Sequence, residues 1–354
     1  GRKLAKRQSL FTMTSRSVFL VADIYESFPE LDSNLKQEWE NQKSIDYLKE
    51  TILNLGYNCS ILEPKKSKID FLTSLQKLFA DKSKIENCIL FNLVEGYNSR
   101  NREAYIPALS EMLGIPFAGS DAYAQCISLD KFLTKQVVKS LNIQMKESYY
   151  IEDTSNIPVN LHYPLFIKPN SEGSSLGIQS DNIVSSRQNL IHKLKQLLKE
   201  YSSVLMEPYL SGSDYTLGII GNYPNYKVTK VAEVKYPAIV YDSEIKTKDS
   251  MPEKLYFTMN SNLEAKIQRD SVEICKRIKV NGYARIDWKS DEKGSPFFLE
   301  VNLTPGLSAF YSALPICYEN SFGNYSDLIK NILQFGYEHY NTSKNFGYGR
   351  YEKN

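Results

Sequence analysis

Sulfur chemistry is scarce in this chain of 354 residues. Its five cysteines, Cys59, Cys88, Cys126, Cys275 and Cys317, stand far apart with no CxxC pair, which argues against a zinc site or disulfide framework and fits a reducing cytosol. Histidine is scarcer: His162, His192 and His339 are the only three, and surface or packing roles are expected for each. No apolar run is long enough to span a membrane. The basic start GRKLAKRQSLFTMTSRSVFLVADIY is interrupted by Asp23 and makes a poor signal peptide, so a cytoplasmic protein without membrane contact is expected. Residues Gly1 to Thr12 read as an appended leader ahead of a natural start at Met13. An excess of charge is missing too. The 43 basic and 41 acidic side chains leave +2, dispersed rather than striped, so no nucleic-acid partner is expected. Neither GxxxxGK[ST] nor GxGxxG occurs, which removes the P-loop and Rossmann fingerprints.

What remains is a globular composition, 42% hydrophobic and 24% charged, long enough for about two or three compact units. The most informative stretch runs from Gly282 to Pro315, GYARIDWKSDEKGSPFFLEVNLTPGLSAFYSALP. Tyr283, Arg285 and Asp287 share one parity, and Ala284, Ile286 and Trp288 the other, as a half-buried strand requires. After the polar turn SDEKGS, a second strand places Phe297, Leu299, Val301 and Leu303 on an apolar side, with Phe298, Glu300 and Asn302 opposite. Pairing the apolar faces brings Arg285, Asp287, Glu300 and Asn302 together. Two carboxylates and an amide oxygen are hard ligands suited to magnesium carrying a phosphate, and a neighbouring guanidinium suits an oxyanion. An amphipathic surface hairpin with solvated charges is the plain alternative.

Upstream, a buried strand is expected over 17–24, a helix over 37–55 closed by Gly56, and a strand over 57–62. A helix at 71–79, a strand at 88–94, a helix at 104–113 and a short strand at 115–118 continue the alternation. That order implies an open parallel sheet with covering helices, binding ligands just beyond its strand ends. Glu95 and Glu103, in VEGYNSRNREA, are therefore substrate candidates, with solvation or capping as the alternative. Lys131 opens an amphipathic helix, and Lys168 ends an apolar strand, where an ammonium can face a nucleotide phosphate. The loop NSEGSSLG, with Ser174 and Ser175, offers amides and hydroxyls without bulk. In VLMEPYLSGSDYTLGIIG, Pro208 interrupts a strand and frees backbone groups for an adenine edge. Asp214 could accept from a ribose or cap its turn, and Lys246 lies in a polar segment with the character of a lid.

In order and spacing, LDK, FIKPNSEGSSLG, EPYLSGSDYTLGIIG, ARIDW and LEVNLTPG resemble the ATP-grasp superfamily, in its D-alanine–D-alanine ligase-like branch. The likeness covers most of the chain from about residue 90 onward. It implies an α/β and α+β ATP-grasp fold with three units: an open parallel-sheet domain over 13–128, a central subdomain over 129–212 and a C-terminal subdomain over 213–354. By that resemblance Lys131, Lys168, Ser174 and Ser175 hold the phosphates of ATP, Glu207, Pro208, Tyr209 and Leu210 line the adenine pocket, and Asp214 holds the ribose. Lys246 approaches the γ-phosphate, while Asp287, Glu300 and Asn302 carry two magnesium ions, or manganese. Arg285 and Gly306 stabilise the oxyanion formed when an amine attacks an acyl phosphate. The implied enzyme is an ATP-dependent, ADP-forming carboxylate–amine ligase acting on amino acids or peptides, and a homodimer is compatible. A silent nucleotide-binding protein on the same fold and an ATP-dependent phosphotransferase remain the alternatives.

Departures from the family fall around the amino acids. The HG-rich loop and the GGxSxE start are replaced by VEGYNSRNREA and DIYESFPELDSNLKQEWE, leaving Glu38 or Glu40 to bind the first amino group. The tyrosine beside the lid lysine is Thr247. The segment GLSAFYSALP is one residue longer than usual, which weakens the assignment of Ser312 to the second carboxylate. These departures predict a preferred product other than D-alanyl-D-alanine.

Overall fold

A computed structural model of the chain describes residues 16–30, 39–80, 82–96, 99–172, 180–235 and 254–345. Glu38, Ser174, Ser175 and Lys246 fall outside them, as does Thr247. Within the first segments β1 (Ser17–Val21), α1 (Gln42–Asn54), β2 (Asn58–Leu62), α2 (Lys68–Phe79), α3 (Lys82–Ile85), β3 (Cys88–Asn92), α4 (Tyr105–Leu113) and β4 (Phe117–Ala118) alternate as expected. Their strands form a parallel sheet in the order β2-β1-β3-β4. The helix expected from residue 37 begins only at Gln42. Asn41 caps it, its side chain accepting from the Ser44 amide at 2.8 Å, and Trp39 instead packs edge-on against Phe28. An N-cap that satisfies a free amide competes successfully with apolar spacing.

The helix that Lys131 opens is preceded by another. α5 (Ala122–Leu129) and α6 (Lys131–Lys139) meet at Asp130, which caps α6 through the Leu133 amide at 2.8 Å. Beyond them β5 (Tyr149–Ile151), β6 (Leu165–Pro169), β7 (Ile183–Val184), α7 (Arg187–Leu197) and β8 (Val204–Pro208) make a second sheet, ordered β5-β8-β6-β7. Leu165, Ile167, Val204 and Met206 bury one face of it under α7. The opposite parity carries Phe166, Lys168, Leu205 and Glu207.

A third, largely antiparallel sheet contains β9 (Asp214–Asn222), β10 (Asn225–Val228), β11 (Ala232–Lys235) and β12 (Lys254–Tyr256), followed by α8 (Ser261–Ile278), β13 (Tyr283–Ser290) and β14 (Pro296–Asn302). α8 covers one face through Ile267, Ile274, Cys275 and Ile278, against Ala284, Ile286 and Trp288. Then α9 (Ala313–Glu319) and α10 (Tyr325–Asn345) return the chain to the first sheet. Leu328, Ile329, Ile332 and Leu333 of α10 share a core with β1, β3 and α1, so among the described residues the last helix covers the first strand. Among the described residues no disulfide forms, and no helix is long and apolar enough to cross a membrane.

One parity reading is corrected in the hairpin. Asp287 pairs with Glu300 and Arg285 with Asn302, but Trp288 pairs with Phe298, so Leu299 is an extra residue at a bulge. Phe298 is therefore fully buried against Trp288 at 5.9 Å between ring centres, while Leu299 is half-buried. A bulge reverses side-chain parity past its own position and re-aims the residues beyond it. Glu300 and Asn302 keep the ligand side because of it.

Candidate active site

Two sheet faces and one helix meet at the site. On the third sheet, Asp287 accepts from Arg285 through Nη2 at 2.8 Å and Nε at 3.1 and 3.2 Å, and from the Thr216 hydroxyl at 2.7 Å. Thr216 lies directly across from Asp287 on β9. Asn302, which pairs with Arg285 across the hairpin, accepts from the Thr304 amide through its side-chain oxygen at 2.9 Å. Glu300 completes the row, with Lys131 Nζ 3.2 Å from its Oε2.

α6 joins this row to the second sheet. Lys131 and Lys135 are one helical turn apart and share a face. Lys131 reaches Glu300 and the Glu172 carbonyl, the latter at 2.5 Å; Lys135, only 1% exposed, is hydrogen-bonded to Glu207 Oε2. The other Glu207 oxygen lies 2.8 Å from Lys168 Nζ, and Ser148 donates to Oε2 at 3.3 Å. Three lysines thus converge around two carboxylates.

Charge balance explains their ionisation. Burial pushes the Glu300 carboxyl up, but Lys131, Lys168 and Arg285 outweigh it and hold the group at about 2. Burial likewise opposes ionisation of Glu207, and Lys135 with Lys168 brings it to about 2. One carboxylate serves two ammoniums unequally: burial and repulsion from Lys168 depress Lys135, whereas Glu207 and Glu300 raise Lys168 despite its burial. An attractive partner offsets desolvation only at close range.

At the other end, the segment after β14 folds back on α1. Glu40 is buried, with Oε2 accepting from the Tyr311 hydroxyl at 3.1 Å and Oε1 from the Leu307 amide at 3.4 Å. The Ser44 and Ser308 hydroxyls are 2.7 Å apart, and with Glu40, Leu93 and Leu307 they line a small crevice. Gly306 lies against this group. A Cβ there would come within 2.8 Å of Ser312 Oγ and 3.5 Å of Glu40 Oε1, so only glycine leaves its amide accessible without displacing Ser312. Ser312 is itself buried and accepts from the Ser308 amide at 3.0 Å. Among the described residues, no lysine or arginine forms an ion pair with Glu40.

Of the remaining candidates, Asp214 pairs with Lys289 at 2.8 Å. Pro208 ends β8, the Tyr209 amide donates to the Pro164 carbonyl at 3.0 Å, and Leu210 is buried. Glu103 is buried and Glu95 half-buried. Their neighbour Arg102 turns toward the second sheet, donating to the Ser171 carbonyl at 2.7 Å and lying 3.4 Å from Glu172 Oε2. Sequence reasoning passed over Lys135, Thr216, Lys289 and Tyr311. The first lies four residues after Lys131 and the third two after Asp287, so helical and strand periods mark both; Thr216 needed the β9 register, and Tyr311 the return of its segment to α1.

Known proteins resemble this chain over most of its length. Residues 135–334 match the family model described as D-ala D-ala ligase C-terminus. The D-alanine–D-alanine ligase of Aquifex aeolicus is 35% identical over 231 residues, covering 64% of this chain and 76% of that protein. The corresponding ligase of Thermotoga petrophila is 26% identical over 82% of this chain and 91% of its own length. Among solved structures, the D-alanine–D-alanine ligase from Bacillus anthracis complexed with ATP superposes with a TM-score of 0.71 at 20% identity, over 93% of this chain and all of that one. The VanG D-Ala:D-Ser ligase from Enterococcus faecalis gives 0.70 at 19% identity, over 91% and 99%. The chain therefore belongs to the D-alanine–D-alanine ligase family, whose members are ATP-dependent, ADP-forming ligases on the ATP-grasp fold.

Proposed function

We propose that the cleft between the second and third sheets binds ATP and that this chain uses it to join the carboxylate of one amino acid to the amine of another. The observation that carries this reading is the convergence of Lys131, Lys135 and Lys168 on Glu207 and Glu300, beside the Asp287–Glu300 register. The paired carboxylates and the Asn302 oxygen form a hard donor set that fits magnesium, so Asp287, Glu300 and Asn302 would hold it. The ion would neutralise charge on the phosphates. Lys131 and Lys168 are the phosphate ligands, the segment from Glu207 to Leu210 borders adenine, and Ser174, Ser175 and Lys246 act with them.

One substrate carboxylate oxygen attacks the γ-phosphorus of ATP, giving an acyl phosphate and ADP. A neutral amine then attacks the carbonyl carbon. Arg285 and the Gly306 amide receive the oxyanion, and collapse expels phosphate, which takes up the proton lost by the attacking nitrogen, leaving an amide. Positioning and charge neutralisation suffice for these steps, so no histidine is needed.

Glu40, rather than Glu38, takes the ammonium of the first amino acid. Among the described residues its buried carboxylate meets only neutral donors, and a buried anion without a cation is costly. A substrate ammonium relieves that cost. Ser312 faces the second substrate, and Glu95 and Glu103 favour a basic amino acid or free amino terminus, so the preferred product is not D-alanyl-D-alanine. The three units meet near residues 128 and 212.

Incubation with Mg-ATP and a mixed panel of D- and L-amino acids and dipeptides, read by mass spectrometry, tests this. An amide product formed with stoichiometric ADP is expected. Absence of ADP formation with every substrate favours a silent binding protein, a stable phosphorylated substrate a phosphotransferase, and predominant D-alanyl-D-alanine would overturn the selectivity.

A further inference from the structure

The turn that leaves β6 is gripped from two sides. On one side it wraps the first turn of α6: the Lys131 amide donates to the Asn170 carbonyl at 3.2 Å, the Phe132 amide to Asn170 Oδ1 at 2.9 Å, and Asn170 Nδ2 to Asp130 at 2.9 Å. Lys131 Nζ adds its bond to the Glu172 carbonyl. On the other side stands Arg102, from the segment that follows β3. Its Nη1 donates to the Ser171 carbonyl at 2.7 Å, and its Nη2 lies 3.4 Å from Glu172 Oε2. The Arg102 side chain is only 8% exposed, and a planar guanidinium engaged at both prongs has one orientation. Its backbone is equally constrained. Arg102 opens the short turn Arg102–Ala104, and Gly96, with φ +79°, packs so closely that a Cβ there would collide with the Arg102 carbonyl. Only glycine fits there, so the end of β3 fixes the arginine and the arginine fixes the turn after β6.

What that turn holds is the ammonium of Lys131. Its two partners are Glu300 Oε2 at 3.2 Å and the Glu172 carbonyl at 2.5 Å, and an ammonium has three donors. A phosphate drawing Lys131 away from Glu300 leaves the Glu172 carbonyl as its anchor. We propose that Arg102 is a positioning residue for Lys131: by fixing Ser171 and Glu172 it sets where the ammonium stands when a nucleotide phosphate arrives, so that the parallel-sheet region governs phosphate affinity in a cleft built by the other two sheets. This rests on the cleft being a nucleotide site with Lys131 as a phosphate ligand. Arg102 itself touches neither phosphate nor substrate.

Calorimetric titration with Mg-ADP and with adenosine, without amino acids, tests this independently of the ligation reaction. R102K keeps the positive charge but loses the fork that spans Ser171 and Glu172. Both R102K and R102M are expected to bind Mg-ADP about fivefold or more weakly and adenosine within about twofold of the wild type, because the defect reaches only the phosphates. In a K131M background R102K should add no further loss, since two residues acting through one contact are not additive. Undiminished Mg-ADP binding in R102K overturns the proposal, as do equal losses for ADP and adenosine or a full further loss in K131M. A defect in R102M that R102K restores would make the role one of charge and overturn positioning. Failure of the wild type to bind Mg-ADP overturns the nucleotide reading and this proposal with it, whereas wild-type binding that R102K leaves intact overturns the positioning role alone. Should R102M fail to fold, R102K, which retains a cation at the buried position, decides.

Discussion

The two ends of the site handle negative charge in opposite ways. Around the proposed nucleotide, every carboxylate already has a cation: Glu207 has Lys135 and Lys168, Glu300 has Lys131, Asp287 has Arg285 and Asp214 has Lys289. At the amino acid end, buried Glu40 is met by a phenol and an amide. In the proposed reading, such a pre-neutralised cleft exchanges its internal pairs for phosphate and metal. A carboxylate held by neutral donors instead selects for a substrate that brings its own positive charge. The contrast teaches where affinity and where selectivity reside in this chain.

Removing one partner from the most deeply buried pair should break that contrast most severely. Glu207→Gln leaves Lys135 and Lys168 buried without a counter-ion, and a loss of about 3 to 5 kcal/mol in urea unfolding is expected. The same charge sets an acid limb. Because the folded-state values of Glu207 and Glu300 lie near 2, below the ordinary 4.5, their contribution is present above pH 4.5 and fades as pH falls toward 2. Urea midpoints tracked across that range should fall in the wild type and fall less steeply in Glu207→Gln.

Asp287→Asn or Glu300→Gln should lower turnover by about a hundred- to a thousandfold while circular dichroism stays native, since both side chains are partly exposed. Near-normal rates at saturating magnesium would dissociate the hairpin from catalysis. A smaller and more selective effect is expected at the other end. Glu40→Gln should raise KM for the carboxyl-donating amino acid about tenfold to a hundredfold and leave KM for ATP within about twofold. Equal shifts in both constants would erase the distinction between the two ends.

Strand parity was enough to put Arg285 and Asp287 on one face of β13 and Glu300 and Asn302 on one face of β14, but that these two faces coincide depends on the bulge at Leu299. It failed at Phe298 and Leu299, since a bulge leaves no mark in a run of apolar and aromatic residues. The parallel sheet was legible from alternation, yet the start of α1 was not: Asn41 decides it through one capping bond, against apolar spacing that continues upstream. Lys131 and Lys168 were legible by their places at the start of a helix and near the end of a strand. The meeting of Lys135 and Lys168 with Glu207 was not, because it depends on packing of α6 and β6 against β8, which no local period encodes. The contacts of Glu40 with Leu307 and Tyr311 were not legible either, because they need the segment after Gly306 folded back over α1.

Transfer of oxygen tests the acyl-phosphate route most directly. With the carboxylate of the first amino acid labelled with 18O, attack on the γ-phosphorus and then amine displacement moves one labelled oxygen into each inorganic phosphate released. That transfer is expected in step with amide formation, and its loss is expected in Asp287→Asn. Inorganic phosphate carrying no label while amide accumulates would contradict an acyl-phosphate ligase.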